Sequence, residues 1–212
     1  MKERPILFSS EMVRAILAAR KTQTRRVVKP QPEQSTSTLD GVSDRFQWKR
    51  VIDTYRPLWP SVISRFCPYG QPGDRLWVRE MWRPCAVPQC SDTAICVEYR
   101  ASDYCKLGHL ATLSRKGWRP SIFMPRWASR ITLEIVGVRC ERVNEISEAD
   151  AHAEGADQEF RTVVYSPAGV KDYHMPVSFR GGFANLWDEI NAKRGYSWDS
   201  NPWVWVVEFK RI

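Results

Sequence analysis

The chain has 212 residues, of which 43% are hydrophobic and 26% are charged, and its net charge is +8. The hydrophobic content is enough for a packed core and excludes a chain that is disordered throughout. The surplus of lysine and arginine favours anionic partners, nucleic acid first, because basic surfaces attract phosphate groups. No apolar run approaches the ~20 residues that a transmembrane helix needs, so we expect no membrane partner.

The N-terminus and the cysteines indicate a cytoplasmic protein. Residues 1–5 lead into only three apolar residues, which predicts that the chain has no signal peptide. The cysteines lack the regular spacing of a disulfide framework, so we expect reduced thiols. Four cysteines and a histidine fall in one region, namely Cys85, Cys90, Cys96, Cys105 and His109. They contain no C-x2-C pair, and the chain has no glycine-rich phosphate loop, so we predict neither a metal nor a cofactor.

The first elements in chain order are a strand, a helix and a basic segment. The apolar residues 6–8 predict a short strand, and the serines that follow are expected to cap a helix. The helix has an apolar face formed by Met12, Val13, Ile16 and Leu17. We expect it to end near Ala19, directly before the basic segment 20–26, and we expect a strand over 25–29.

The middle of the chain is rich in turn and loop signals. Residues 31–45 are polar and predict an exposed loop, and residues 46–53 predict an added strand. A turn signal at 72–74, with the sequence Pro-Gly-Asp, precedes an expected strand over 75–80. Residues 94–100 predict a further strand after another loop.

Residues 115–130 interleave cations with aromatic side chains. These residues are Arg115, Lys116, Trp118, Arg119, Phe123, Arg126, Trp127 and Arg130. Cations beside flat aromatic faces suit single-stranded nucleic acid or a flipped base, so Arg119, Arg126 and Trp127 are candidate binding residues. The alternative is a proline-rich loop that packs its aromatic side chains on the protein's own core. The sequence favours neither interpretation over the other.

The second half of the chain carries two predicted helices between strands. Residues 131–135 alternate between apolar and polar, which predicts a half-buried strand. Residues 147–150 resemble a capping box and predict a short helix that runs to Glu154, with a loop over 156–182. A second amphipathic helix has an apolar face formed by Phe183, Leu186, Trp187 and Ile190. The chain closes on an apolar strand at 203–209.

Strands outnumber helices in this reading, and long irregular connections join them. This organisation predicts an α+β barrel rather than alternating βαβ units. The chain has no internal repeat and no sharp break in composition, so we expect one domain over residues 1–212.

The basic segment 20–26 holds four cations among seven residues, with two threonines between them. Crowded cations disfavour a further positive charge, so Lys21 is a candidate for a neutral base. Thr24, three residues further on, can supply the hydroxyl that such a base activates. The alternative is a solvated helix end, where Arg and Lys offset the helix dipole, and spacing alone favours that alternative. Nothing local distinguishes Glu154 from an ordinary surface glutamate.

Four stretches together resemble a known family. Residues 15–26, with the motif Lys-x-x-Thr-x-Arg, are similar to the N-terminal motif of ASCH domains, which are relatives of the PUA RNA-binding fold. Residues 72–80 resemble the Gly-Asp strand of that family, and residues 146–154 resemble its later short helix. Residues 205–209 are similar to its closing strand, and the four stretches occur in the family's order.

The resemblance implies a PUA-like mixed β-barrel with flanking short helices and a cleft beside the first helix. Some compact bacterial ASCH proteins are amidohydrolases that remove the acetyl group from N4-acetylcytidine with a lysine, a threonine and a glutamate. Carried over by motif, these residues are Lys21, Thr24 and Glu154. This chain is longer and resembles the longer members that bacteriophages and prophages encode. Its extra segments lie near residues 31–70, 83–128 and 156–182.

Two functions remain open, and so does the oligomeric state. The first is an amide hydrolase acting on an N4-acylated cytosine nucleoside, in which Lys21 activates Thr24 while Glu154 moves a proton or orients water. The candidates for stabilising the oxyanion or holding a phosphate are Arg20, Arg25 and Arg26. The second is a non-catalytic module for RNA or single-stranded DNA that uses the same basic cleft together with the loop 115–130. Further binding candidates on the Gly-Asp strand are Trp77 and Arg79.

Overall fold

The structure is a computed structural model that describes most of the chain. The described residues are 1–34, 46–47, 64–85, 96–102, 117–158, 160–163, 173–176 and 178–212. The predicted strand at 46–53 is therefore described only at its first two residues. Several residues of the sequence-based predictions lie outside the described part, namely Cys90, Cys105, His109, Arg115 and Lys116.

Helices and strands follow one another irregularly along the described residues. The helices are α1 (Ser10–Leu17), α2 (Glu148–Ala153) and α3 (Phe179–Asn191). The strands are β1 (Glu3–Leu7), β2 (Gln23–Val27), β3 (Glu33–Gln34), β4 (Phe46–Gln47), β5 (Arg75–Arg79), β6 (Trp82–Pro84), β7 (Val97–Tyr99), β8 (Thr132–Arg142), β9 (Phe160–Val163), β10 (Tyr173–Pro176) and β11 (Trp203–Arg211). The predicted helices and the predicted closing strand are confirmed.

The largest sheet is mixed. Its strand order is β1-β5-β8-β11-β2, with β1 parallel to β5 and β5 antiparallel to β8. The predicted α+β class is therefore confirmed. Because β1 and β2 stand at the two ends of this order, the described residues form no closed barrel, in contrast to the barrel expected from the sequence.

The chain forms two compact units, each assembled from separate stretches. The first unit comprises Met1–Lys21, Pro68–Gly137 and Glu208–Ile212, and the second comprises Thr22–Cys67 and Val138–Val207. That all 212 residues form one ASCH domain stays a prediction.

Each unit has its own apolar cluster. The cluster of the first unit contains Trp82, Val97, Tyr99, Met124 and Ala128. The cluster of the second unit contains Val143, Ile146, Ala151, Ala156, Phe183, Trp187, Val204 and Val206. The predicted apolar face of α3 is thus buried at Phe183 and Trp187, whereas Ile190 at its end is exposed.

Several predicted boundaries are wrong. β1 covers Glu3–Leu7 instead of 6–8, and β2 covers Gln23–Val27 instead of 25–29. The alternating residues 131–135 predicted only the first half of β8. In its second half Val138 and Cys140 alternate with Arg139 and Glu141, out of phase with the first half, and the two charged residues form an ion pair. The predicted loop 156–182 contains β9 and β10, which pair antiparallel with Phe160 opposite Pro176. Both strands have only four residues, and neither alternates strictly between apolar and polar residues. Within the described residues, no helix has both the length and the apolar content needed to cross a bilayer.

The cap of α2 provides a test of the local structure near the candidate site. The Oγ atom of Ser147 accepts a hydrogen bond from the backbone N–H of Asp150 at 3.1 Å. We expect Ser147→Ala to lower the free energy of unfolding by about 1 kcal/mol, because it removes this acceptor from the first turn. Ser147→Asp restores an acceptor and serves as the matched control. Urea denaturation measures both, and equal stabilities for the Ala and Asp variants would contradict the capping.

Candidate functional site

The first two residues of the basic segment are hydrogen-bonded to the last turn of α1. The backbone N–H groups of Arg20 and Lys21 both donate to the carbonyl of Ala15, at 2.9 and 3.1 Å. Ala19 between them and the helix has a φ of +58°, the left-handed conformation in which many helices end. Glycine is the usual residue in this conformation, which costs an alanine about 1 kcal/mol of conformational energy. The segment therefore leaves α1 through a defined turn.

Burial separates the residues of the basic segment. Lys21 is 2% exposed and Thr24 is 3% exposed, whereas Arg20 and Thr22 are exposed. The Nζ atom of Lys21 lies 5.6 Å from the centroid of the Phe8 ring, within the first unit. A solvated helix end, the alternative that spacing favoured, therefore describes Arg20 but not Lys21.

The start of β2 is held against α2 within the second unit. The backbone N–H of Thr22 donates to the carbonyl of Ala153 at 2.8 Å, and the side-chain amide of Gln23 donates to the carbonyl of Asp150 at 2.8 Å. Glu154 is the C-terminal cap residue of α2, and its side chain is 4% exposed. The buried Glu154 thus differs from the surface glutamate that its local sequence suggested.

The centre of this region is a cluster of charged side chains, which we call the Arg25 cluster. Its members are Arg25, Arg139, Glu141, Asp150 and Glu154. The guanidinium of Arg25 is fully buried and bonds Glu154 Oε1 and Asp150 Oδ2, each at 3.2 Å, as well as Glu141. Arg139 bonds Glu141 Oε2 at 2.9 Å and Asp150 Oδ2 at 3.0 Å. Two cations and three carboxylates therefore share one network.

The Arg25 cluster is built from three elements of the second unit. Arg25 lies on β2, while Arg139 and Glu141 lie two residues apart on β8 and so share a face. Asp150 belongs to α2 and Glu154 caps it, four residues further on. The ring of Phe183 on α3 lies 5.9 Å from the centre of the Arg25 guanidinium. Arg25 therefore links β2, β8 and the C-terminal end of α2.

The neighbours of Arg25 differ from those that the sequence suggested. We predicted that Arg25 holds a phosphate or stabilises an oxyanion, but its guanidinium faces three carboxylates of its own chain. A cation that is buried and paired in this way is not offered to a phosphate in solution. Arg20 is exposed and Arg26 is half-buried, so these two remain candidates for contact with an anion.

A second group of predicted residues lies in the first unit. The guanidinium of Arg79 is 4.6 Å from the centroid of the Trp77 ring, and that of Arg126 is 5.9 Å from it. Arg126 also donates from Nε to the Glu3 carboxylate at 3.1 Å, and this hydrogen bond and the charge of Arg126 hold the pKa of Glu3 below its usual value. One tryptophan of β5 therefore supports two cations.

The remaining two predicted binding residues belong to the same unit. The guanidinium of Arg119 lies 5.1 Å from the centroid of the Trp82 ring. Trp127 meets the same Trp82 edge-on, with 6.1 Å between ring centroids. The loop 115–130 therefore matches neither of the two interpretations completely. Its Arg119 and Trp127 are exposed, but both contact the buried Trp82.

Sequence reasoning missed most of the Arg25 cluster. Arg139 and Glu141 were overlooked because their half of β8 alternates out of phase with residues 131–135, and Asp150 was read only as part of a capping box. The available signals were the two-residue spacing of Arg139 and Glu141 and the four-residue spacing of Asp150 and Glu154. Neither spacing points to Arg25, which is more than a hundred residues away in the chain.

The described cysteines have no metal-binding geometry. The backbone N–H of Cys85 donates to the carbonyl of Cys96 at 3.1 Å, which extends the β6–β7 pairing. Burial raises the pKa of the Cys140 thiol to about 12, with a further contribution from the negative charge of Glu141, so this thiol stays protonated at neutral pH. Within the described part of the chain, no group of three or more His, Cys, Asp and Glu side chains is placed to hold a metal ion.

Comparison with known proteins adds no relative. No protein-family model, no curated protein and no solved structure matches the chain.

The Arg25 cluster makes a prediction about stability. We expect Arg25→Met to lower the free energy of unfolding by about 3–5 kcal/mol, because it leaves buried carboxylates without their cation. Arg139→Met removes the same charge from a side chain that is partly exposed, and we expect it to cost less than about 1 kcal/mol. Chemical denaturation of the two variants measures the difference. Equal losses would contradict the central position of Arg25.

Proposed function

We propose that the protein is an amidohydrolase with a PUA-like ASCH fold, which removes an acyl group from the N4 atom of an N-acylated cytosine nucleoside. The observation that carries this proposal is the burial of all three residues selected by the family motif, Lys21, Thr24 and Glu154. Lysine and glutamate are rarely buried without a reason, and buried ionisable groups concentrate at functional sites. The mixed sheet is compatible with a PUA-like fold, and the assignment to that fold is part of the proposal.

The proposed reaction proceeds through an acyl-enzyme. Lys21, as the neutral amine, takes the proton of the Thr24 hydroxyl while Thr24 Oγ attacks the acyl carbon. The tetrahedral intermediate collapses, the bond from the acyl carbon to N4 breaks, and the Lys21 ammonium returns the proton to N4. Water then attacks the Thr24 ester, and Glu154 accepts a proton from that water. As the bond between Thr24 Oγ and the acyl carbon breaks, Glu154 passes this proton to Thr24 Oγ. The products are the free nucleoside and the carboxylic acid, with Thr24 regenerated.

The Arg25 cluster supports the part proposed for Glu154. Glu154 Oε1 is bonded to Arg25, and its backbone N–H donates to the Asp150 carbonyl at 2.8 Å. A carboxylate held at both its side chain and its backbone loses little orientational freedom on meeting water or substrate. We therefore assign Arg25 as a positioning residue for Glu154. In this proposal Arg20 or Arg26 stabilises the oxyanion or binds a phosphate of the substrate.

The alternative, a binding module without catalysis at the same basic cleft, has less support. It needs the cations of the segment to face solvent, and Arg25 and Lys21 are both buried. Burial of a threonine and a glutamate contributes nothing to phosphate binding, whereas both have a chemical part in hydrolysis. The hydrolase therefore explains more of the described residues.

Turnover of N4-acetylcytidine tests the proposal. We expect Lys21→Ala and Thr24→Ala each to lower kcat by at least about 10²-fold, because each removes a group that acts on the reacting atoms. Thr22→Ala is the matched control, since it makes the same change at an exposed threonine two residues away. Release of cytidine is followed by chromatography, and circular dichroism verifies that each variant is folded.

Two results would contradict this function. One is a Thr24→Ala variant that is as active as the Thr22→Ala control. The other is a folded wild-type protein that releases no cytidine from N4-acetylcytidine or from analogues with other short acyl groups.

A further inference from the structure

Two large aromatic side chains are exposed on the 3-10 turns of the first unit. The turns cover Ser121–Phe123 and Arg126–Ala128, and each follows a proline. Phe123 is 71% exposed and Trp127 is 48% exposed. The residue after each aromatic side chain, Met124 or Ala128, is buried in the apolar cluster of the unit. The two rings are therefore presented outward from an anchored backbone.

Three arginines lie in or next to these turns, and each is stacked on a tryptophan ring. Arg126 lies in the second 3-10 turn and over Trp77, and Arg119 lies over Trp82. Arg79 also lies over Trp77 and donates from Nη1 to the carbonyl of Ile122 at 3.3 Å. A guanidinium stacked on a ring loses little side-chain freedom when its outer N–H groups bind an anion. We call the set Arg79, Arg119, Phe123, Arg126 and Trp127 the cation–aromatic surface.

The chemistry of the cation–aromatic surface favours one class of partner. Exposed aromatic rings on an ordered backbone mark interaction sites. Arg119 and the exposed Trp127 both contact the ring of Trp82, so a guanidinium and an exposed ring share one supporting side chain. The chain also carries a net charge of +8, which attracts a polyanion over a distance. Flat faces for bases beside donors for phosphates are what single-stranded nucleic acid needs.

We propose that the cation–aromatic surface binds single-stranded nucleic acid, with bases stacked on Phe123 and Trp127 and phosphates held by Arg119 and Arg126. Stacking on a ring is open to any base, so binding tolerates many sequences. A duplex keeps its bases stacked on one another and has none to offer to Phe123 or Trp127. The proposal uses none of Lys21, Thr24 and Glu154 and does not rest on the proposed hydrolase.

Fluorescence anisotropy with labelled oligouridylate and oligothymidylate tests the aromatic part. We expect Phe123→Ala and Trp127→Ala each to weaken binding about tenfold, since each removes one stacking platform. Phe123 is the safer variant for folding because most of its ring is in solvent. Because thymine also carries a methyl group that uracil lacks, oligodeoxyuridylate is measured beside both. Stronger binding of oligouridylate than of oligodeoxyuridylate shows that the ribose hydroxyl takes part, and binding of either supports a single-stranded ligand.

Two exposed arginines allow a matched test of the charged part. Arg126 is paired with Glu3, and Arg14 on α1 is paired with Glu11, each at 3.1 Å. Arg126→Ala and Arg14→Ala therefore remove the same charge from the same kind of exposed ion pair, but only Arg126 lies on Trp77. We expect Arg126→Ala to reduce the slope of log affinity against log salt by about one, and Arg14→Ala to leave it unchanged.

Three outcomes would overturn the proposal. The first is no binding of any of these oligonucleotides by the wild-type protein at low salt. The second is equal affinity of wild type and the folded Phe123→Ala and Trp127→Ala variants. The third is a duplex of the same length that binds as tightly as the single strand. Because the oligonucleotides carry no acyl group, none of these results depends on whether the protein hydrolyses N4-acetylcytidine.

Discussion

The burial of one guanidinium constrains the second unit more than any other interaction described in it. A cation taken out of water is tolerated only with close anionic partners, and Arg25 has three, from β8, α2 and the cap of α2. To supply them, the polar half of β8 and the end of α2 must both approach β2. The orientation of Glu154, on which the proposed hydrolysis depends, is a consequence of that requirement.

The same residue type serves a different purpose in the first unit. Arg79, Arg119 and Arg126 lie on tryptophan faces, which orient a guanidinium without neutralising its charge. Arg126 also forms an exposed ion pair with Glu3. In the Arg25 cluster, by contrast, three carboxylates neutralise the positive charge of Arg25, and their ion pairs hold β2, β8 and α2 together. The net charge of +8 therefore does not show where an anion can bind. The basic segment has fewer available cations than its sequence suggests, and the arginines on tryptophan rings are available.

Local signals predicted local structure well. Ser147 as a cap, the buried pair Phe183 and Trp187, and the apolar closing strand were all visible in short windows of sequence. The second half of β8 was not, because its apolar and charged residues alternate out of phase with those of the first half. The bond between Arg25 and Glu154 joins residues more than a hundred positions apart, and no periodicity carries such a contact. Resemblance selected Glu154, but only tertiary structure gives it a partner.

A double-mutant cycle between Arg25 and Glu154 tests this view most directly. The free energies of unfolding of wild type, Arg25→Met, Glu154→Met and the double variant give the coupling between the two side chains. If Arg25 holds Glu154 in the buried cluster, the coupling is favourable and at least about 1 kcal/mol, so the double variant is more stable than the two single losses predict. Additive losses, with a coupling near zero, would contradict a cluster that positions Glu154.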